Sequence, residues 1–114
     1  MAATAAGAAQ VIDPGADGAL KSLLKATGGV AHAIDFAGIP ASANFAIGSL
    51  RKGGQMVLVG LMGGAITMAL PMIVLRAISI TGSYVGSLAD MRELLALAKL
   101  GGVQPLPITT RPLS

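Results

Sequence analysis

From Gly53 to Leu75 the chain carries no charged residue, and few structures accommodate an apolar run of that length. One is a membrane-spanning helix: the run is long enough to cross a bilayer, and Arg51, Lys52 and Arg76 would flank it. The other is a series of buried strands, because parallel strands covered on both faces read as continuous apolar sequence. Gly53-Gly54, Gly60, Gly63-Gly64 and Pro71 cut the run into pieces of strand length. Glycine and proline also occur in spanning helices, so a small membrane protein built around 53–75 stands as an alternative. The punctuation favours the sheet.

The same alternation extends to both sides. Gln10 to Asp13 is a short apolar strand candidate closed by the turn pair Pro14-Gly15. Asp17 is placed to cap a helix whose Leu20, Leu23 and Leu24 form one stripe, ended by Gly28-Gly29. Val30 to Ala37 reads as a buried strand with Val30, His32, Ile34 and Phe36 on one face and Ala31, Ala33, Asp35 and Ala37 on the other. Pro40 suits a first helical turn, and that helix is expected to run to about Leu50, where Lys52-Gly53-Gly54 breaks it. Gln55 to Val59 follows as a strand ending at Gly60; Ile66 to Leu70 reads as extended and Pro71 to Arg76 as a short helix. Ile78, Ile80 and Gly82 suit another strand. Ser87, with Asp90 completing a capping box, opens an amphipathic helix through Leu88, Met91, Leu94, Leu95 and Ala98, which Gly101 ends. The tail, 107–114, holds Pro107 and Pro112 and is expected to be irregular. Strands alternating with helices imply an α/β fold with a mostly parallel sheet flanked by helices.

Composition narrows the function classes. Hydrophobic residues make up 54% of the chain and aromatics 3%, so the core is expected to be built from small aliphatics and methionine. A net charge of +3 comes from scattered basic residues, with no basic run interleaved with aromatics, which argues against nucleic-acid binding. With no cysteine and one histidine, neither a disulfide nor a zinc site needing three or four ligands is expected. His32 is read as a packed or partly exposed strand residue, and Asp35 as a hydrogen-bonded structural carboxylate. Ser83 and Tyr84 have no base placed by sequence to activate them. The start of the chain lacks the pattern of a signal peptide, and a cytoplasmic setting is the default expectation.

Three segments in order carry a resemblance. They are Ala33-Ile34-Asp35-Phe36-Ala37-Gly38, the run from Leu50 to Leu61 with its Lys52-Gly53-Gly54 turn, and Ile80-Thr81-Gly82-Ser83-Tyr84-Val85-Gly86-Ser87-Leu88-Ala89-Asp90. Together they resemble the fourth, fifth and sixth strands of the cofactor domain in the medium-chain dehydrogenase/reductase family, above all its zinc-dependent alcohol dehydrogenases. Gly7 to Asp13 is similar to that domain's third-strand region. The resemblance implies an incomplete Rossmann-like domain holding parent strands 3 to 6 across 1–114 and lacking strands 1 and 2. The Gly-x-Gly-x-x-Gly turn that meets the pyrophosphate and the acidic residue that reads the ribose belong to those two strands, and neither motif occurs here.

The function that this resemblance implies is that of a piece of an NAD- or NADP-dependent oxidoreductase acting between an alcohol and a carbonyl. Its zinc would lie in a catalytic domain outside this chain. Carried over by motif, Ala37 and Gly38 would lie near the adenosine ribose; Val59, Gly60 and Leu61, with Ser83, Tyr84 and Val85, would approach the nicotinamide. Ligands in open α/β sheets bind outside the carboxyl ends of the strands. The plainer reading is that Gly38 and Gly60 only permit tight turns. No catalytic or metal-binding residue is expected in the chain, nor tight cofactor binding or activity by the chain alone. The sixth strand, near 77–81, is an edge strand expected to support a homo-oligomer. A noncatalytic α/β interaction module is the alternative outside enzymology.

Overall fold

The computed structural model describes residues 2–103 and 108–112. Its elements in chain order are α1 (Ala2–Ala5), α2 (Ala19–Thr27), β1 (Val30–Asp35), α3 (Pro40–Ser49), β2 (Leu50–Leu58), α4 (Leu70–Arg76), β3 (Ser79–Gly82) and α5 (Leu88–Lys99). They fall into two compact units, Val11–Tyr84 and the pair of stretches before and after it.

The Val11–Tyr84 unit is built on a three-stranded parallel sheet in the order β1-β2-β3. Parallel neighbours need a crossover, and α3 and α4 supply the two. Along β1 and β2, Ala33 stands beside Met56 and Asp35 beside Leu58; along β2 and β3, Met56 stands beside Ile80 and Leu58 beside Gly82. Period-2 alternation therefore puts Ala33, Asp35, Met56 and Leu58 on one face. Ala43 and Ile47 of α3, one turn apart, close over that face with Leu50, Met56 and Ile78 as the buried core. Small residues in the helix allow close packing on the sheet. Met56, 1% exposed, contributes about 1.5–3 kcal/mol by its burial. Arg76, in the last turn of α4, donates to the carbonyls of Gly48 and Leu50 and so ties that helix to the end of α3.

Several expectations change. Gln10 to Asp13 forms no strand: the sheet has only β2 beside β1, and four residues cannot form a ladder without a neighbour. Asp17 does not cap α2; Gly18 occupies the cap position with no side-chain hydrogen bond. Of the stretch read as extended, Ile66 to Leu70, residues 66–69 lie outside the regular elements, with Ala69 extended, and Leu70 already opens α4. β2 starts at Leu50, where α3 ends, and not at Gln55. The register between Val30–Leu50 and His32–Gln55 is irregular, so the Lys52-Gly53-Gly54 turn is absorbed as a bulge within the strand.

β1 is not buried on both faces. His32, Ile34 and Phe36 are exposed, Phe36 to 74%, because α3 covers only the Ala33–Asp35 side and β1 is a sheet edge. The apolar run from Gly53 to Leu75 divides into the end of β2, an irregular loop and most of α4. No helix among the described residues is long and apolar enough to cross a membrane, which removes the spanning-helix alternative for 53–75.

In the second unit, Ser87 caps α5 through its hydroxyl, which accepts from the Asp90 amide at 3.2 Å, while the Asp90 carboxylate accepts from the Ser87 amide at 2.6 Å. The anticipated capping box is present, and Gly101 follows in the left-handed conformation at φ 75°. Leu88, Met91, Leu94 and Leu95 all remain exposed. Of the tail at 107–114, 108–112 has no regular structure; 107 and 113–114 lie outside the described residues.

Candidate functional site

Asp35, Leu58 and Gly82 form one row across the sheet. Because the strands are parallel, the segments following that row leave the sheet at the same end. The carried-over positions Ala37 and Gly38, Val59 to Leu61, and Ser83 and Tyr84 all come directly after it. Val85 belongs to the other unit, where its backbone is left-handed at φ 47°, a strained conformation for a β-branched residue.

The β1 and β2 ends are joined through one residue. The Oδ1 atom of Asp35 accepts from the Ala37 amide at 2.9 Å and the Gly38 amide at 3.1 Å. Its Oδ2 accepts from the Ser42 hydroxyl at 2.8 Å. The main-chain carbonyl of Asp35 accepts from the amides of Val59 at 2.9 Å and Gly60 at 3.0 Å. Ser42 Oγ also lies 3.1 Å from the Ile39 carbonyl, but a hydroxyl has one proton, and the carboxylate is the stronger acceptor. Ser42 stands in the first turn of α3, so the carboxylate also sits favourably near that helix N-terminus. Burial of Asp35 works to raise its pKa; the donations from Gly38, Ser42 and Ala37 outweigh it and hold the carboxyl below its ordinary value.

Gly38 and Gly60 are glycines for a reason of space. A Cβ on Gly38 would overlap the Gly60 carbonyl, and a Cβ on Gly60 would overlap the Ala37 carbonyl group. Gly38 also sits at φ 68°. The two strand-end turns press backbone against backbone, and the Gly63 amide donates to the Gly38 carbonyl at 3.1 Å. These glycines therefore allow the two strand-end turns to meet.

Of the seven carried-over positions in the Val11–Tyr84 unit, five have amides committed inside the fold (Ala37, Gly38, Val59, Gly60 and Ser83, the last donating to Leu58), and the amides of Leu61 and Tyr84 remain without a protein acceptor among the described residues. Both residues are exposed, Leu61 to 80% and Tyr84 to 78%. The cleft between the Gly38–Pro40 turn and the Gly63–Ile66 loop measures about 110 Å³, below the roughly 300 Å³ at which ligand pockets begin. His32 lies exposed in mid-strand. No group of three His, Cys, Asp or Glu residues is close enough to hold a metal among the described residues, so the residues present do not fit a zinc site.

Sequence reading treats Asp35 as a structural carboxylate and misses its position as the hub of both turns. The signal is local: an aspartate ending a strand, with backbone amides two and three residues on, matches the side-chain-to-backbone turn that aspartate favours. Its grip on Val59 and Gly60 is through the main chain and leaves no mark in composition.

Residues 1–99 match the sequence profile of the zinc-binding dehydrogenases. The chain is 37% identical over 97 residues to an alcohol dehydrogenase of Rhizobium meliloti, covering 85% of this chain and 28% of that protein. It is 36% identical over 64 residues to an NAD-dependent alcohol dehydrogenase of Sulfurisphaera tokodaii, covering 56% of this chain and 18% of that one. Among solved structures, the alcohol dehydrogenase of Aeropyrum pernix is similar with a TM-score of 0.75 at 32% identity, over 83% of this chain and 28% of that chain. The chain thus spans less than a third of the length of these relatives.

Proposed function

The chain belongs to the zinc-binding dehydrogenase family, and from that membership we propose that it forms the nicotinamide-side wall of an NAD(P) crevice in an alcohol-dehydrogenase-like oxidoreductase. The observation that carries the reading is the common exit of three parallel strands at the row Asp35, Leu58 and Gly82, since open α/β sheets bind ligands outside their carboxyl ends. The exposed amides of Leu61 and Tyr84 supply donors of the kind a carboxamide oxygen accepts. The nicotinamide, when bound, supplies hydride transfer between an alcohol and a carbonyl; the residues of this chain bind and orient it. Ala37 and Gly38 belong to the adenosine side, and Val59, Gly60 and Ser83 line the nicotinamide side by main-chain atoms.

Phosphate recognition lies outside the motifs of this sequence, so the wall contributes orientation more than affinity. Titration of the ¹⁵N-labelled chain with millimolar NAD and, separately, NADP tests the proposal. Amide shifts concentrated at Leu61 and Tyr84, without saturation in the micromolar range, are expected with both. No shifts at those amides at millimolar concentration would remove the wall reading. Micromolar binding would show that the chain carries its own phosphate site.

A second reading has its own observation. β3 is a sheet edge exposed along its whole length, and an unpaired edge is a pairing surface. Self-association near 77–81 accompanies the proposed function, and it would be the whole of the function if the chain acts as a noncatalytic interaction module.

A further inference from the structure

We propose that Asp35 is the positioning residue of the crevice rim, one residue whose side chain holds the turn after β1 and whose main-chain carbonyl holds the turn after β2; the role in the crevice rests on the function proposed above. Asp35 is 5% exposed, and by side chain and main chain together it accepts from Ala37, Gly38, Val59 and Gly60. Those are four of the seven rim positions that lie in the Val11–Tyr84 unit.

The joint has no slack. Gly38 and Gly60 meet so closely that neither site admits a Cβ. A shift of the Ala37–Gly38 turn must therefore push the segment after β2, where Leu61 begins the exposed stretch. The carboxylate is what fixes that turn. Its removal leaves two partly buried amides without an acceptor, a loss larger than that of an ordinary hydrogen bond. It also frees Ser42 Oγ to turn to the Ile39 carbonyl, 3.1 Å away.

An acceptor in the right place suffices, and the charge is dispensable. Asparagine at 35 keeps an Oδ1 for the Ala37 and Gly38 amides. Its Nδ2 can donate to Ser42 Oγ, whose own proton then goes to the Ile39 carbonyl. Every partner remains satisfied. Alanine keeps none of these bonds, and glutamate moves the acceptor outward by one methylene.

The full chain carries the test, in wild-type, Asp35→Asn, Asp35→Ala and Ser42→Ala forms. Amide hydrogen exchange is read at Ala37 and Gly38 and referred to Met56 in the sheet centre, which reports opening of the whole unit. Asp35→Ala is expected to accelerate exchange at Ala37 and Gly38 by about tenfold or more relative to Met56, whereas Asp35→Asn and Ser42→Ala stay within about threefold of wild type. Millimolar NAD is then added. Shifts at Leu61 and Tyr84 are expected in wild type and Asp35→Asn, and are expected to collapse in Asp35→Ala. Unchanged exchange in Asp35→Ala overturns the proposal, as does Asp35→Asn behaving like alanine. If Asp35→Ala does not fold, Asp35→Glu takes its place, with the same loss expected at Ala37 and Gly38 and the same consequence if they stay protected. Absence of NAD shifts in the wild-type chain counts against the crevice reading, while the exchange results judge Asp35 separately.

Discussion

The close approach of Gly38 and Gly60 separates two reasons for a glycine that a sequence presents as one. At Gly18, φ is 74° and an added Cβ meets nothing within 4 Å; alanine there pays only the left-handed backbone cost of about 1–2 kcal/mol. At Gly60 the φ is unexceptional and the obstacle is the Ala37 carbonyl group. Gly38 has both. Urea unfolding is expected to rank the alanine variants Gly18, Gly60, Gly38 in increasing order of damage, with Gly38→Ala losing more than about 3 kcal/mol, beyond the usual range for single substitutions. Equal losses at Gly18 and Gly38 would show that the strand-end turns do not meet as described. Asp35 supplies a pH test at the same joint. Its folded pKa is lowered, so its contribution to stability is complete above the unfolded value of about 3.9 and is lost as pH falls through the lower folded value. Urea midpoints measured between pH 6 and pH 2.5 should therefore fall at the acid end, and less steeply in Asp35→Asn. An identical acid limb in the two proteins would deny the carboxylate its hydrogen-bonded environment.

At the scale of elements, α5 is the cleanest case of a helix written in its own sequence. Ser87 and Asp90 satisfy each other's amides, and Gly101 ends the final turn at φ 75°. Ser87→Ala is expected to cost α5 about 1 kcal/mol, read as faster amide exchange across its first turn; unchanged exchange there would mean the hydroxyl contributes no capping. Such local chemistry is legible because donor and acceptor are three residues apart. β1 and α3 are legible for a similar reason, with Pro40 at the helix start and alternation along the strand. The failures lie where a neighbour decides. Gln10 to Asp13 has the composition of a strand and lacks a partner. Lys52 to Gly54 looks like a break, but pairing of Leu50 with Val30 carries the strand through it. Asp17 has the side chain of a cap, yet Gly18 takes the position with its left-handed backbone. In the candidate site, strand-end glycines are visible in sequence, while the convergence of four amides on Asp35 depends on how two turns meet.

For the whole molecule the governing fact is how much apolar surface the described residues leave open. Ile34 is 59% exposed on the uncovered face of the sheet, and Phe36, in the turn just after β1, is 74% exposed. β1 and β3 are the two sheet edges, and each offers backbone groups for pairing. The β1 edge runs past exposed His32 and ends at buried Asp35, where the side chain is already engaged with its own turn. The β3 edge has no such closure: Ser79, Ile80, Thr81 and Gly82 are all exposed, and Ile80 offers an apolar contact to a second copy. Charge at this edge blocks pairing in natural sheets. Ile80→Lys is therefore expected to shift the chain toward monomer in sedimentation velocity at matched concentration, whereas His32→Lys on the other edge leaves the distribution largely unchanged. Neither site is engaged in the Asp35 joint, so loss of the fold, checked by far-UV circular dichroism, is not the anticipated route to either result. A wild-type chain that sediments as a monomer at high micromolar concentration would sink the edge-pairing proposal. A shift produced by His32→Lys and not by Ile80→Lys would move the association surface to β1, beside the rim that Asp35 holds.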